Sequence, residues 1–141
     1  MELVERAVVA CFLRHGDKIC LLKRSRAVAS AQGRWHCVSG FVESGVRPLE
    51  QALAEIGEET GLVGDAIQLA ASAAPIRIER PVQGWAWVIH PFLFDAASPD
   101  LHLDWEHDEY RWIEPADLAT SDCVPWLPLV WRALNGMKNE E

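Results

Sequence analysis

Three glutamates on one side of a helix constrain this chain more than any other feature. From Gly40 to Leu62 the sequence reads GFVESGVRPLEQALAEIGEETGL, and Glu55, Glu58 and Glu59 stand at the spacing of helical neighbours. Like charges so placed repel, and a helix gains nothing structural from that cost. A hard divalent cation such as Mg2+ supplies a reason, because it takes oxygen ligands and needs negative charge to hold it. The plain alternative is a solvated acidic face, the ordinary fate of a charge run.

The local signals around that patch are those of a bounded helix. Pro48 suits a first helical position, and Gly61 sits where a left-handed C-terminal cap belongs. Leu49, Ala52, Leu53 and Ile56 form an apolar stripe that predicts packing on a sheet, with the glutamates well to its side. Before the helix, Arg6 to Leu13 reads as a strand, His15-Gly16-Asp17 as a turn, and Lys18 to Lys23 as the returning strand of a hairpin. Ser25 to Gly33 reads as a small polar loop, and Trp35 to Val42 as a short extended piece broken at Ser39-Gly40. After the helix, Ala66 to Glu79 and Trp85 to Phe94 read as two long strands around a turn at Pro81 to Gly84. Tyr110 to Ile113 is a short strand and Pro125 to Leu134 a closing helix. This order predicts an α/β fold, a mixed sheet with helices on both faces.

Composition narrows the partners. A chain of 141 residues is long enough for a single core and predicts one domain over 1–141. A net charge of -8 disfavours a nucleic acid polymer, whose binding relies on Lys and Arg. A small phosphorylated substrate stays compatible, since a bound cation inverts the local field. No apolar run reaches the ~20 residues of a membrane span, and MELVERAVV lacks the form of a signal peptide. Cys11, Cys20, Cys37 and Cys123 have no zinc spacing and read as buried free thiols in a reducing cytoplasm. His36, His90 and His107 read as packing or surface residues.

The segment Gly40 to Leu62 resembles the Nudix box of the Nudix hydrolases, G-x5-E-x7-R-E-U-x-E-E-x-G-U, where U is a bulky aliphatic residue. Gly40, Glu55, Ile56, Glu58, Glu59, Gly61 and Leu62 fall in register; Val46 stands in place of the first Glu and Ala54 in place of the Arg. The resemblance implies an α/β/α sandwich and hydrolysis of a pyrophosphate bond in a nucleoside diphosphate linked to another group, with nucleoside triphosphates foremost. It implies Mg2+, or Mn2+, held by Glu55, Glu58 and Glu59. In the family the backbone carbonyl at the position of Ser39 adds a ligand, as does a carboxylate from a later loop. Glu106 is the candidate for that carboxylate, with Asp104, Asp108 and Glu109 close enough in sequence to compete. Glu55 and Glu106 contend for the role of general base. In the family the box Arg orients the glutamates beside the first box Glu, so Val46 and Ala54 read as a joint replacement of a pair.

Further expectations concern substrate and assembly. Lys23, Arg24, Arg26 and Arg34 precede the box, and Arg24 and Arg34 are the candidates to meet phosphates. Trp35 is a candidate pocket wall. Trp85 and Trp87 point to one face of a strand, as core or as pocket lining. Homodimers are common in the family. Arg47 and Gly57 weaken the helix by the absence of a side-chain cap and by backbone entropy, and Val46, Ala54 and Gly57 together make a nucleotide-binding domain without turnover a rival reading. An isopentenyl diphosphate isomerase, with Cys37 near the relevant place, is a more distant one.

Overall fold

A computed structural model describes residues 2–138. Its centre is a pair of parallel strands, β1 (Val4–His15) and β7 (Trp85–Ala96), matched from Val4↔Trp85 to Arg14↔Asp95. Both are dominated by apolar residues because both of their faces are covered. Alternation along β1 sorts them: Val8, Ala10 and Phe12 enter one core, and Val9, Cys11 and Leu13 the other. The far end of the pair is tied by Arg14, whose Nε and Nη2 donate to the Asp95 carboxylate at 2.6 and 2.9 Å.

Other strands extend this pair on both sides. Gly16, at φ +61°, turns β1 into β2 (Lys18–Arg24). The short strand β3 (Trp35–His36) pairs antiparallel with β2, and β4 (Val38–Phe41) with the middle of β1. On the other side, β5 (Ile67–Ser72) and β6 (Ile76–Arg80) pair in turn with the second and first halves of β7. Finally β8 (His107–Ile113) pairs antiparallel with β2. The result is a mixed sheet of eight strands.

Helix α1 (Pro48–Thr60) covers one face, with Ala52 and Ile56 in the core of Val9, Cys11 and Leu13. Helix α2 (Leu127–Lys138) covers the other, with Leu127, Val130 and Leu134 in the core of Val8, Ala10 and Phe12. The expected sandwich is therefore present. All four cysteines are buried and free, and no described helix is long and apolar enough to cross a membrane.

Several expectations need correction. Ala66 to Glu79 is two strands, not one: the chain breaks at Ala73 to Pro75, where Pro75 has no N–H for a ladder. Strand β8 begins at His107 rather than Tyr110, because β2 supplies partners for polar residues whose own preference is weak. The helical stripe is also rotated from its expected place. Leu49 and Leu53 are 39% and 43% exposed, whereas Gln51, Ala52, Ile56, Glu59 and Thr60 are buried. Two of these buried polar groups are satisfied locally: Gln51 Oε1 accepts the Glu43 N–H at 3.1 Å, and Thr60 Oγ1 donates to the Ile56 carbonyl at 2.6 Å.

Candidate active site

The site forms where β4 passes under α1. Gly40 has no side chain there for a steric reason: a Cβ at that position would overlap the Glu55 carboxylate. Gly61, at φ +78°, ends the helix, its N–H donating to the Gly57 carbonyl at 3.0 Å. The two box glycines thus hold the helix close to the strand and stop it directly after the glutamates.

The carboxylates there are under electrostatic pressure. Burial pushes the Glu55 carboxyl up to about 7, helped by Glu58, Glu106, Glu43 and Asp104. Burial raises Glu59 to about 10, helped by Glu55, Glu106 and Asp104, while a backbone hydrogen bond at Ser39 acts the other way. Glu55 Oε2 is buried without a hydrogen-bond partner. Glu58 lies at the exposed side of the helix. Glu106, in the loop before β8, is near enough to α1 for its charge to raise both Glu55 and Glu59. Asp104 arrives with it, and Glu43 joins from the strand-to-helix turn. Asp108 and Glu109 do not: both are exposed, and Glu109 lies by Arg111 at 3.7 Å.

The loop is pinned at several points. Ser25 donates its N–H to the Glu106 carbonyl at 2.8 Å and its hydroxyl to the Trp105 carbonyl at 2.9 Å, and the His102 N–H reaches the Thr60 carbonyl at 2.9 Å. His107, expected to be packing or surface, is buried against the acids. Its Nδ1 lies 2.9 Å from Asp104 Oδ1 and its Nε2 3.6 Å from Glu59 Oε1.

These residues suit a hard cation by their chemistry. All the acidic donors are oxygens, and one of them is buried and unpartnered. Among the described residues no three His, Cys, Asp or Glu side chains already form a closed ligand cage. The carboxylates would draw together only as their mutual repulsion is neutralised.

A cavity of about 330 Å3 opens beside the acids, with Ser39 and Gly40 on its wall. Arg24 and Arg80 bring positive charge to it, and Phe41, Trp87 and Trp126 bring aromatic surface. Phe41 and Trp87 lie 5.8 Å apart, and Trp126 meets His36 edge-on at 5.0 Å. His36 is held neutral, its pKa lowered to about 3 by burial and then by the charges of Arg24 and His107. Its Nδ1 accepts the Cys37 N–H at 2.9 Å, which fixes the proton on Nε2.

The basic and aromatic candidates therefore divide. Arg24 lines the cavity, its Nε donating to the Ser30 carbonyl at 3.0 Å. Arg34 instead reaches the Cys123 carbonyl at 3.4 Å, and Trp35 lines a separate hollow with Arg111 stacked 4.6 Å from its ring centre. Trp87 enters the cavity, while Trp85 carries Arg6 over its ring at 3.9 Å. Arg80 and Trp126 had no local signal. They come from a strand end and a helix approach that only the fold unites.

The protein is thus an α/β/α sandwich with an acid cluster on α1 and a cationic, aromatic cavity reaching Ser39 and Gly40 on β4. Comparison with known proteins makes this specific. Residues 4–130 match the family model of the NUDIX domain. A protein of Erythrobacter litoralis named RNA pyrophosphohydrolase is 30% identical over 139 residues, spanning 82% of this chain and 84% of its own. The crystal structure of a MutT protein from Methanosarcina mazei superposes with a TM-score of 0.79 at 21% identity, covering 100% of this chain and 99% of that one. An Ap4A hydrolase of Caenorhabditis elegans, in a binary complex, gives a TM-score of 0.74 at 17% identity, covering 99% and 100%. The chain belongs to the Nudix hydrolase family. It is an enzyme of that family, and its members generally use divalent cations.

Proposed function

We propose that the protein hydrolyses a pyrophosphate bond in a nucleoside diphosphate linked to another group, with nucleoside triphosphates the leading substrates. The observation that carries this reading is the charge-strained pair of half-buried Glu55 and buried Glu59, set directly behind Gly40 and Ser39, which form part of the wall of a cavity lined by Arg24 and Arg80. Glu55, Glu58, Glu59, Glu106 and the Ser39 carbonyl would hold Mg2+ or Mn2+. When bound, such an ion neutralises phosphoryl oxygens and lowers the pKa of a coordinated water. Arg24 and Arg80 draw the phosphate chain into the cavity by charge. Phe41, Trp87 and Trp126 offer apolar surface for a flat base and exclude water from it. Either Glu55 or Glu106 would take the proton of the attacking water. Arg34 and Trp35 take no part in this reading, because their side chains are engaged elsewhere. Four buried free thiols suit a reducing cytoplasm.

The test is a panel of nucleoside triphosphates, dinucleoside polyphosphates and an RNA bearing a 5′-triphosphate, each with Mg2+, with both products identified. Cleavage of a small nucleotide at its anhydride bond is the expected result. Cleavage of the RNA end alone would move the substrate towards that of the Erythrobacter relative, against the charge of -8. Tight nucleotide binding without phosphate release would favour the non-hydrolytic domain. Isomer formation from isopentenyl diphosphate would favour the isomerase.

A further inference from the structure

We propose that His107 is a positioning residue, a clasp that fixes the Glu59 carboxylate and fastens the acidic loop to α1. The ladder explains how it comes to face that way. On β8, Ile113 enters the α2-side core, and Tyr110 and Trp112 pack on the α1 side. Simple alternation would send residue 107 to the α2 side with Ile113. The register shifts between Lys23 and Arg24, so that Lys23 faces Glu109 and Arg24 faces His107, with Asp108 left over. One extra residue reverses the side on which the next side chain lies. The bulge thus turns His107 towards α1.

Both ends of the ring meet an acid. The side chains of His107 and Glu59 are 2% and 3% exposed, and Nε2 stands 3.6 Å from Glu59 Oε1. Nδ1 lies 2.9 Å from Asp104 Oδ1, and the same oxygen accepts the Glu106 N–H at 3.2 Å. One carboxylate therefore orients both the imidazole and the backbone of Glu106. Helix α1 has no basic residue in its last turn, and His107 is the one basic side chain found beside Glu59 among the described residues. A buried acid without any such partner is costly and poorly oriented. The wider setting of His107 includes Glu55 and Asp104, which act on Glu59 as well, and Arg24 across the ladder.

The catalytic consequence rests on the hydrolase reading; the clasp itself does not. Three substitutions test it: His107→Phe keeps the ring volume, His107→Gln keeps a polar atom near the reach of Nε2, and His107→Asn keeps one near Nδ1. The probes are Mn2+ alone, followed by EPR, amide hydrogen exchange at Ser25 and His102, and steady-state hydrolysis. In His107→Phe we expect Mn2+ affinity to fall about 10-fold and kcat about 10- to 100-fold, the range for groups that orient metal ligands. KM should change by less than about 3-fold, since the ring touches no substrate. The loop amides should exchange about 10-fold faster, and His107→Gln should recover part of the Mn2+ affinity. Unchanged Mn2+ affinity and unchanged exchange in His107→Phe would overturn the clasp. Should that variant fail to fold, Gln and Asn decide: tighter Mn2+ binding by Gln supports the clasp, and equal binding overturns it. If the wild-type protein cleaves no pyrophosphate while His107→Phe still frees the loop and loosens Mn2+, the hydrolase reading falls and the clasp stands.

Discussion

The two helices cover opposite faces of one sheet under opposite rules. Helix α2 buries Leu127, Val130 and Leu134 completely, and Trp131 meets Phe12 edge-on at 5.3 Å. Helix α1 buries Gln51, Glu59 and Thr60 beside Ala52 and Ile56 and leaves Leu49 and Leu53 partly exposed, as Leu129 is on α2. An amphipathic helix free to choose would turn its leucines inward. On α1 only Ala52 and Ile56 turn fully inward, and the positions beside them are given to Gln51, Glu59 and Thr60 rather than to Leu49 and Leu53. One face of the sheet is built for stability, and the other gives up stability to hold charge.

The largest test of this difference is Glu59→Leu. Removing the buried acid ends its desolvation cost but takes a partner from His107 and from the Ser39 backbone, so the two effects offset and stability is expected to change by less than about 1 kcal/mol. Turnover should fall by more than about 100-fold, beyond what the indirect partners of a metal cost. Thermal melts and product assays on the same sample check both parts. An inactive variant that loses as much stability as a core leucine, about 2–4 kcal/mol, would mean that the contrast with α2 is false.

The mirror experiment is Leu134→Ala on α2. Deleting a fully buried leucine is expected to cost about 2–4 kcal/mol in denaturant unfolding. The folded fraction should keep its kcat, because nothing on α2's inner face reaches the acids. A large drop in kcat per folded molecule would show that the two faces are coupled through β1 and β7.

What the sequence made legible follows the same division. Pro48, Gly61 and the spacing of Glu55, Glu58 and Glu59 are local signals, and the helix lies where they predict it. The apolar stripe at Leu49 and Leu53 misled, because periodicity shows that a helix has a face but not which face the fold employs. Ala66 to Glu79 looked continuous since Pro75 is a weak signal next to two β-rich runs. Arg80, Trp126 and His107 reach the site through pairings with distant strands and, for His107, through a bulge. No local pattern announces such partners.

A smaller effect separates the cavity from both helices. His36 in the unfolded chain titrates near 6.5, whereas in the folded protein its pKa lies at about 3. Between those values the unfolded state holds a proton that the folded state lacks, so stability falls as pH drops through the window. The slope reaches up to ~1.4 kcal/mol per pH unit for one such group. The raised pKa values of Glu55 and Glu59 act oppositely in acid, since a folded carboxyl that protonates more readily gains stability as pH falls. Comparing wild type with His36→Asn, which keeps an acceptor for the Cys37 N–H, cancels the shared glutamate contribution. The difference in unfolding free energy should grow in favour of the variant from pH 6.5 down to pH 4. A flat difference would show that His36 is protonated in the folded protein.

The finest test concerns Val46, in the turn before α1, and Ala54, on the exposed side of α1 one turn before Glu58. Ala54 is exposed and shares a groove with Leu49, Leu53, Val63 and Leu69, while the Val46 N–H turns back to the Glu43 carbonyl at 3.0 Å. If the two residues jointly replaced a Glu-Arg contact, Ala54→Arg alone adds a cation without its partner, and Val46→Glu alone adds another acid near Glu43. Both together should recover an interaction that neither has alone. Because Ala54 is exposed, the recovered contact is screened by water, and we expect a coupling of only about 0.5 kcal/mol in stability. The coupling in turnover should have the same sign, since acids already oriented need less rearrangement when a cation and substrate arrive. Melting curves and hydrolysis rates for all four members of the cycle measure it. Additive changes would mean that the two substitutions are independent and that the acids of α1 are oriented from the inside, by Ser39 and His107, with no contribution from the outer face.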